Sequence, residues 1–160
     1  MPRGVPDGYI LFALGIETIV VGTDGSQTAA VAVREAVELA QSLDARLHVV
    51  SAYHPLSGVR VGGEGADPGR AGAAAGPTVE VDAVLESAAG AAHAAGVQAE
   101  CYARRGDPAE VILDVAAEQQ AGLIVIGSKG MHGARRFMLG NVPDKVSHHA
   151  ECSVLIVRSD

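Results

Sequence analysis

Aromatic side chains are scarce: two Phe, three Tyr and no Trp make up 3% of the 160 residues. A platform for single-stranded nucleic acid stacks successive bases on aromatic faces, and this chain has few to offer. Positive charge is also short. Twelve Lys and Arg stand against 19 Asp and Glu, for a net charge of −7, so the overall field repels nucleic acid and anionic membranes. No apolar run approaches the roughly 20 residues that cross a bilayer. The start, Met1 to Ile16, holds the apolar stretch Tyr9 to Leu14 but only Arg3 as a positive flank and no clear cleavage site. Residues 1–17 therefore read as an N-terminal extension rather than a signal peptide. The two cysteines, Cys101 and Cys152, match no zinc or redox spacing. The expectation is a cytoplasmic protein without a metal centre, bound to neither nucleic acid nor membrane.

What is present is a globular composition, 48% hydrophobic and 19% charged, of a length that fits one domain over 18–160. Ala, Gly and Val dominate, so the core is built from small and β-branched side chains. These suit helices packed tightly on a parallel sheet.

Thr18-Ile19-Val20-Val21-Gly22-Thr23 is a β-branched run without alternation, as in a strand buried on both faces. It ends in the turn cluster Asp24-Gly25-Ser26. From Gln27 to Leu43 the apolar residues Ala29, Val33, Ala36, Val37, Ala40 and Leu43 recur at helical spacing. Arg46 to Ala52 is a second strand, completing a parallel crossover unit. Residues 53–77, rich in glycine and without a sustained apolar period, read as a flexible loop. A second helix spans Thr78 to Ala95 and stops at Gly96. Val97 to Ala103 is a third strand. Asp107-Pro108-Ala109-Glu110 is a helix start with an acidic cap, a proline in the first turn and a capping-box Glu, and that helix runs to about Gln120. Ala121 to Ile126 is a fourth strand. A last helix, about Asn141 to Ala150, precedes a fifth strand, Ser153 to Arg158. Five strands alternating with helices give an open α/β sheet covered on both faces.

Between the fourth strand and the last helix lies Gly127 to Val142, GSKGMHGARRFMLGNV. A glycine-rich loop leading from a strand to a helix N-terminus gathers backbone N–H groups in one place and favours an anion. It carries Lys129, Arg135 and Arg136 and no acidic residue. Ligands of open α/β sheets sit beyond the carboxyl ends of the strands, where strand order reverses. If strands one and four are neighbours there, Thr23 and Asp24 face the same crevice as this loop.

The spacing Gly127-x2-Gly130-x9-Gly140-Asn141 resembles the nucleotide-binding signature of the universal stress protein family, Gly-x2-Gly-x9-Gly followed by Ser or Thr. Val20 to Ser26 resembles that family's first strand and turn, Gly106 to Glu110 its third helix start, and Val154 to Val157 its terminal strand. The resemblance covers about Thr18 to Arg158, apart from the Gly-rich loop. It implies a five-stranded parallel sheet in the order 3-2-1-4-5, Rossmann-like and of the adenine nucleotide alpha hydrolase type. It further implies adenine near Thr23, Asp24 and Ala52, with ribose and phosphates on Gly127, Ser128, Lys129, Gly130, Arg136, Gly140, Asn141 and Val142. The ligand so implied is ATP or another adenine nucleotide, with Mg²⁺ possible. Members with this motif bind ATP and some bind cyclic AMP, while members without it bind no nucleotide. Asn141 stands where the family has Ser or Thr. It is an equally good N-cap, and its bulk bears on whether three phosphates, one or none are held.

A helix terminus contributes about 0.3–1 kcal/mol to anion binding, up to about 2 when partly buried, whereas micromolar affinity requires about 8 kcal/mol. The expected ligand is therefore a whole nucleotide, not free phosphate. The expectation is a binding protein and not an enzyme, with no catalytic residue. The alternatives are a cyclic-AMP binder, a slow ATP hydrolase and an interaction protein without ligand. Plainer roles stand beside these. Asp24 also suits capping of the first helix, Lys129, Arg135 and Arg136 a solvated face, and His132 an ordinary surface residue. His148 and His149 diverge on a helix and do not make a metal pair. In the implied order Cys101 and Cys152 lie at opposite sheet edges, about 19 Å apart, too far for a disulfide, and are expected to be buried apolar residues. Val154 to Val157 would be an edge strand, and pairing with the same strand of a second copy is the family's way of covering it, so a homodimer is expected.

Overall fold

The computed structural model describes residues 15–54, 79–129 and 138–159. The Gly-rich stretch from residue 55 onward, most of the N-terminal extension, Gly130, His132, Arg135 and Arg136 lie outside the described residues. In chain order the elements are β1 (Thr18–Gly22), α1 (Gln27–Leu43), β2 (Arg46–Tyr53), α2 (Val79–Ala94), β3 (Ala99–Arg105), α3 (Pro108–Glu118), β4 (Leu123–Gly127), α4 (Asn141–His149) and β5 (Ser153–Val157). The strands form one parallel sheet in the order β3-β2-β1-β4-β5, the order the resemblance implies.

The unalternating run in β1 has the cause expected of it. All five of its residues are buried, because helices cover the sheet on both sides. On one face Ile19, Val21, Leu47, Val49 and Val125 pack against Ala32, Val33, Ala36 and Val37 of α1 and Leu85 and Ala88 of α2. On the other, Val20, Val50, Ile124 and Ile126 meet Val111, Ile112 and Val115 of α3 and Val146 of α4. Each fully buried aliphatic side chain contributes about 1.5–3 kcal/mol.

The helix ends account for where the strands begin. At the end of α2, Gly96 adopts φ +73°, and Val97 N–H turns back to the Ala92 carbonyl at 2.9 Å. Val97 thus closes the helix, so β3 starts at Ala99 and not at Val97. Ala121 does the same for α3, donating to the Ala116 carbonyl at 2.9 Å, and β4 opens at Leu123. Asp107 caps α3 as expected, its Oδ1 accepting from Ala109 N at 3.1 Å and Glu110 N at 3.2 Å. Glu110 does not complete the capping box, because its carboxylate is taken by Lys145 at 3.1 Å.

Cys101 lies on edge strand β3 and Cys152 just before edge strand β5; both are free thiols. Cys101 is exposed, against expectation, because an edge strand is covered less than the middle of the sheet. Its Sγ donates to the Leu85 carbonyl at 3.7 Å, and what burial it has pushes the thiol above its ordinary range.

His48 on β2 is 3% exposed. The Tyr102 hydroxyl donates to Glu100 at 2.8 Å, so its oxygen accepts from His48 Nδ1–H at 3.0 Å. This leaves Nε2 buried with no partner among the described residues. Burial lowers the His48 pKa, Glu100 opposes that, and Arg46 adds to the lowering. Below about pH 6.5 an unfolded chain takes up a proton that the folded one resists. Stability should therefore fall as pH drops from about 7.5 to about 5.5. Thermal melting across that range should show a smaller loss for His48→Leu than for the wild type. Equal losses would remove His48 as the cause.

Candidate functional site: the crevice between the first and fourth strands

β1 and β4 are hydrogen-bonded neighbours, and strand order reverses between them. Their carboxyl ends open on one crevice, where α/β sheets receive ligands. Thr23, Asp24 and Ala52 lie at one side of it; Gly127, Ser128, Lys129, Gly140, Asn141 and Val142 lie at the other. Gly130 and Arg136 are outside the described residues.

On the first side, Thr23 N–H donates to the Val50 carbonyl at 2.9 Å, the last bond joining β1 to β2. Residues two apart in a strand direct their backbone groups to the same neighbour. Ala52 therefore points its N–H and C=O toward the place that β1 has vacated, while the Tyr53 carbonyl serves Gly106 N–H on the other side at 3.1 Å. A donor and an acceptor side by side on a sheet margin match the hydrogen-bonding edge of a purine base. The adjoining turn is internally braced. Asp24 Oδ1 accepts from Ser26 N at 2.9 Å, Thr23 Oγ1 from Gly25 N at 3.3 Å and Ser26 Oγ from Ala29 N at 3.2 Å. Gly25 has φ +79°. Capping of α1 thus falls to Ser26, not Asp24.

On the second side, Gly127 makes a close approach possible. A Cβ there would lie 2.8 Å from Thr28 Cγ2 and 3.2–3.3 Å from the Thr28 backbone carbonyl group, so the glycine lets the first turn of α1 rest on the end of β4. Ser128 is buried. Its N–H donates to the Val157 carbonyl at 2.8 Å and its carbonyl accepts from Gly140 N–H at 3.0 Å. That pair closes the base of the loop and fixes where α4 begins.

Gly140, not Asn141, is the N-cap of α4, with φ −63°, ψ 163° and no side-chain cap bond. Asn141 is the first helical residue because Asp144 N–H already donates to the Gly140 carbonyl at 3.1 Å. Pro143 has no N–H. The amides of Asn141 and Val142 are then the open donors of this terminus: nothing among the described residues accepts from them. Lys129 is half-buried beside Gly140 and pairs with no carboxylate among the described residues.

The sequence model of the family described as "Universal stress protein family" matches residues 15–158. The chain belongs to the universal stress protein family. A universal stress protein of Mycobacterium tuberculosis is 34% identical over 145 residues, 89% of this chain and 97% of that relative. Among solved structures, a universal stress protein in complex with cAMP superposes with a TM-score of 0.68 at 29% identity, covering 91% of this chain and 98% of the other. A universal stress protein of Archaeoglobus fulgidus in complex with dAMP superposes at 0.62 with 25% identity, covering 88% and 96%.

One contact beside the candidate crevice carries no signal in the sequence. Lys145 on α4 reaches Asp107 at 3.2 Å and Glu110 at 3.1 Å, tying α4 to the start of α3. Burial pushes the Asp107 carboxyl up, but the Glu110 amide and the Lys145 ammonium outweigh it and hold it below its usual range. The hydrogen bonds to Glu110 and Asp107 raise Lys145 in turn. Its spacing from Asp107 along the chain gives no hint of the contact.

No helix among the described residues is long and apolar enough to cross a membrane, and no group of three or more His, Cys, Asp or Glu among them is placed to hold a metal ion. A second cleft of about 500 Å³, lined by Arg46, His93, Gln98 and Glu100 among others, lies at the opposite end of the sheet.

Proposed function

We propose that this universal stress protein binds an adenine nucleotide in the crevice between β1 and β4, with adenine on Ala52 and the Thr23–Asp24 turn and a phosphate on the amides of Asn141 and Val142. The observation that carries this reading is the start of α4: a glycine cap without a side chain and two N–H groups with no partner among the described residues. The relatives solved with cAMP and dAMP hold adenine nucleotides with one phosphate, which is what two open amides can seat. With ATP the outer phosphates would extend toward Lys129, and Mg²⁺ would arrive with them. We read the protein as a cytoplasmic binding module whose bound state is its output, rather than a hydrolase. We also propose a homodimer through β5, an edge strand on which Leu155 is 36% exposed; a monomer by light scattering at micromolar concentration counts against it.

Amide chemical-shift mapping tests the placement. Titrating nitrogen-labelled protein with cyclic AMP, AMP and ATP should move the Asn141 and Val142 resonances together with Ala52. Shifts confined to the opposite cleft, around Arg46 and His93, would contradict it.

A further inference from the structure

We infer that Lys145 is a positioning residue for the phosphate end of this crevice, holding α4 against α3 and shielding the bound phosphate from two carboxylates; this rests on the nucleotide reading above. α4 has nine residues, of which Pro143 and Val146 are buried, so few contacts fix it. Lys145 is the sole Lys or Arg on either α3 or α4. Its ammonium lies 3.2 Å from Asp107, which is already fixed by capping α3, and 3.1 Å from Glu110. Asp144 adds a third carboxylate to the first turn of α4, with His148 Nδ1 3.7 Å away.

The electrostatics follow from position. Four residues along a helix advance it about 6 Å, so the backbone of Lys145 sits about one turn from the Asn141 amide. That is within the screening length of roughly 8 Å at physiological salt. With Lys145 present, one of the two carboxylate charges of Asp107 and Glu110 is offset. Without it, the net charge of this group falls from −1 to −2, and an anion at the α4 terminus meets one more negative charge. A partly exposed ion pair adds little to fold stability, so the role shows in ligand charge rather than in melting temperature.

The test is calorimetric titration of wild type, Lys145→Met and Lys145→Arg with cyclic AMP and with adenosine, the latter by competition. Lys145→Met should bind cyclic AMP roughly fivefold to tenfold more weakly at low salt. Adenosine should change less than about twofold, because it carries no charge. Lys145→Arg should restore cyclic AMP binding, since it keeps the cation and the reach to both carboxylates. Unchanged cyclic AMP affinity in Lys145→Met overturns the inference and leaves the nucleotide site standing. So does a parallel loss for adenosine, or a failure of Lys145→Arg to restore binding. A wild type that binds neither ligand overturns the site and the inference together.

Discussion

Gly140→Asp should weaken phosphate-bearing nucleotides roughly 30- to 150-fold while the protein stays folded. The backbone at Gly140, φ −63° and ψ 163°, is open to any residue. A Cβ there would stand 3.4 Å from the Ser128 carbonyl oxygen and 3.5 Å from Pro143 Cδ, a contact that needs only a small adjustment. Aspartate is among the best N-caps, and its carboxylate would accept from the helix's own first-turn amides. The cap that firms up α4 then removes the donors on which the ligand depends and places a negative charge where the phosphate must sit. Loss of a charge-assisted contact plus like-charge repulsion amounts to about 2–3 kcal/mol, which is the stated range. Stability should be unchanged or slightly higher. Binding by Gly140→Asp at wild-type affinity, with the fold intact, would mean that the phosphate does not rest on α4.

Gly127→Val should act on the fold first. The added side chain would be driven into Thr28, whose backbone carbonyl group lies 3.2–3.3 Å from the Cβ position. Backbone cannot swing aside as a side-chain tip can, so α1 must lift from β4. Thr28 also bonds the Ser159 hydroxyl at 2.7 Å, so the C-terminal end is disturbed as well. Overpacking of this kind costs about 1–3 kcal/mol, or a fall of roughly 2–12 °C in melting temperature for a domain of this size. The comparison with Gly140→Asp separates two glycines of one motif: the first is demanded by helix packing, the second by access to amides. A Gly127→Val protein that melts like the wild type would refute that division.

Much of this architecture was legible in the sequence because local and global signals agree. The unbroken β-branched runs of β1 and β4, the helical period of α1 and the Asp107-Pro108 start each have one natural reading, and the family resemblance supplied the strand order. Where the sequence reading slipped, a tertiary or backbone contact decided. Val97 and Ala121 look like strand residues, yet their amides close the preceding helices. Asn141 looks like a cap, yet the Ser128–Gly140 backbone pair starts the helix one residue earlier, and Asn141 enters its first turn. Cys101 reads as a buried residue even on an edge strand, yet β3 leaves it exposed. Lys145 reads as a surface lysine until α3 and α4 are brought side by side. None of these contacts leaves a periodic trace in the chain.

In the reading proposed above, a whole adenine nucleotide, base and phosphate together, occupies the β1–β4 crevice. Calorimetric titration of the wild-type protein with ATP, AMP, cyclic AMP, adenosine and inorganic phosphate tests it most directly. At least one of the three nucleotides should bind saturably below about 1 mM, tighter than adenosine, with inorganic phosphate weaker still. No heat of binding from any adenine nucleotide up to that concentration, or phosphate alone binding as tightly as the nucleotide, would contradict it.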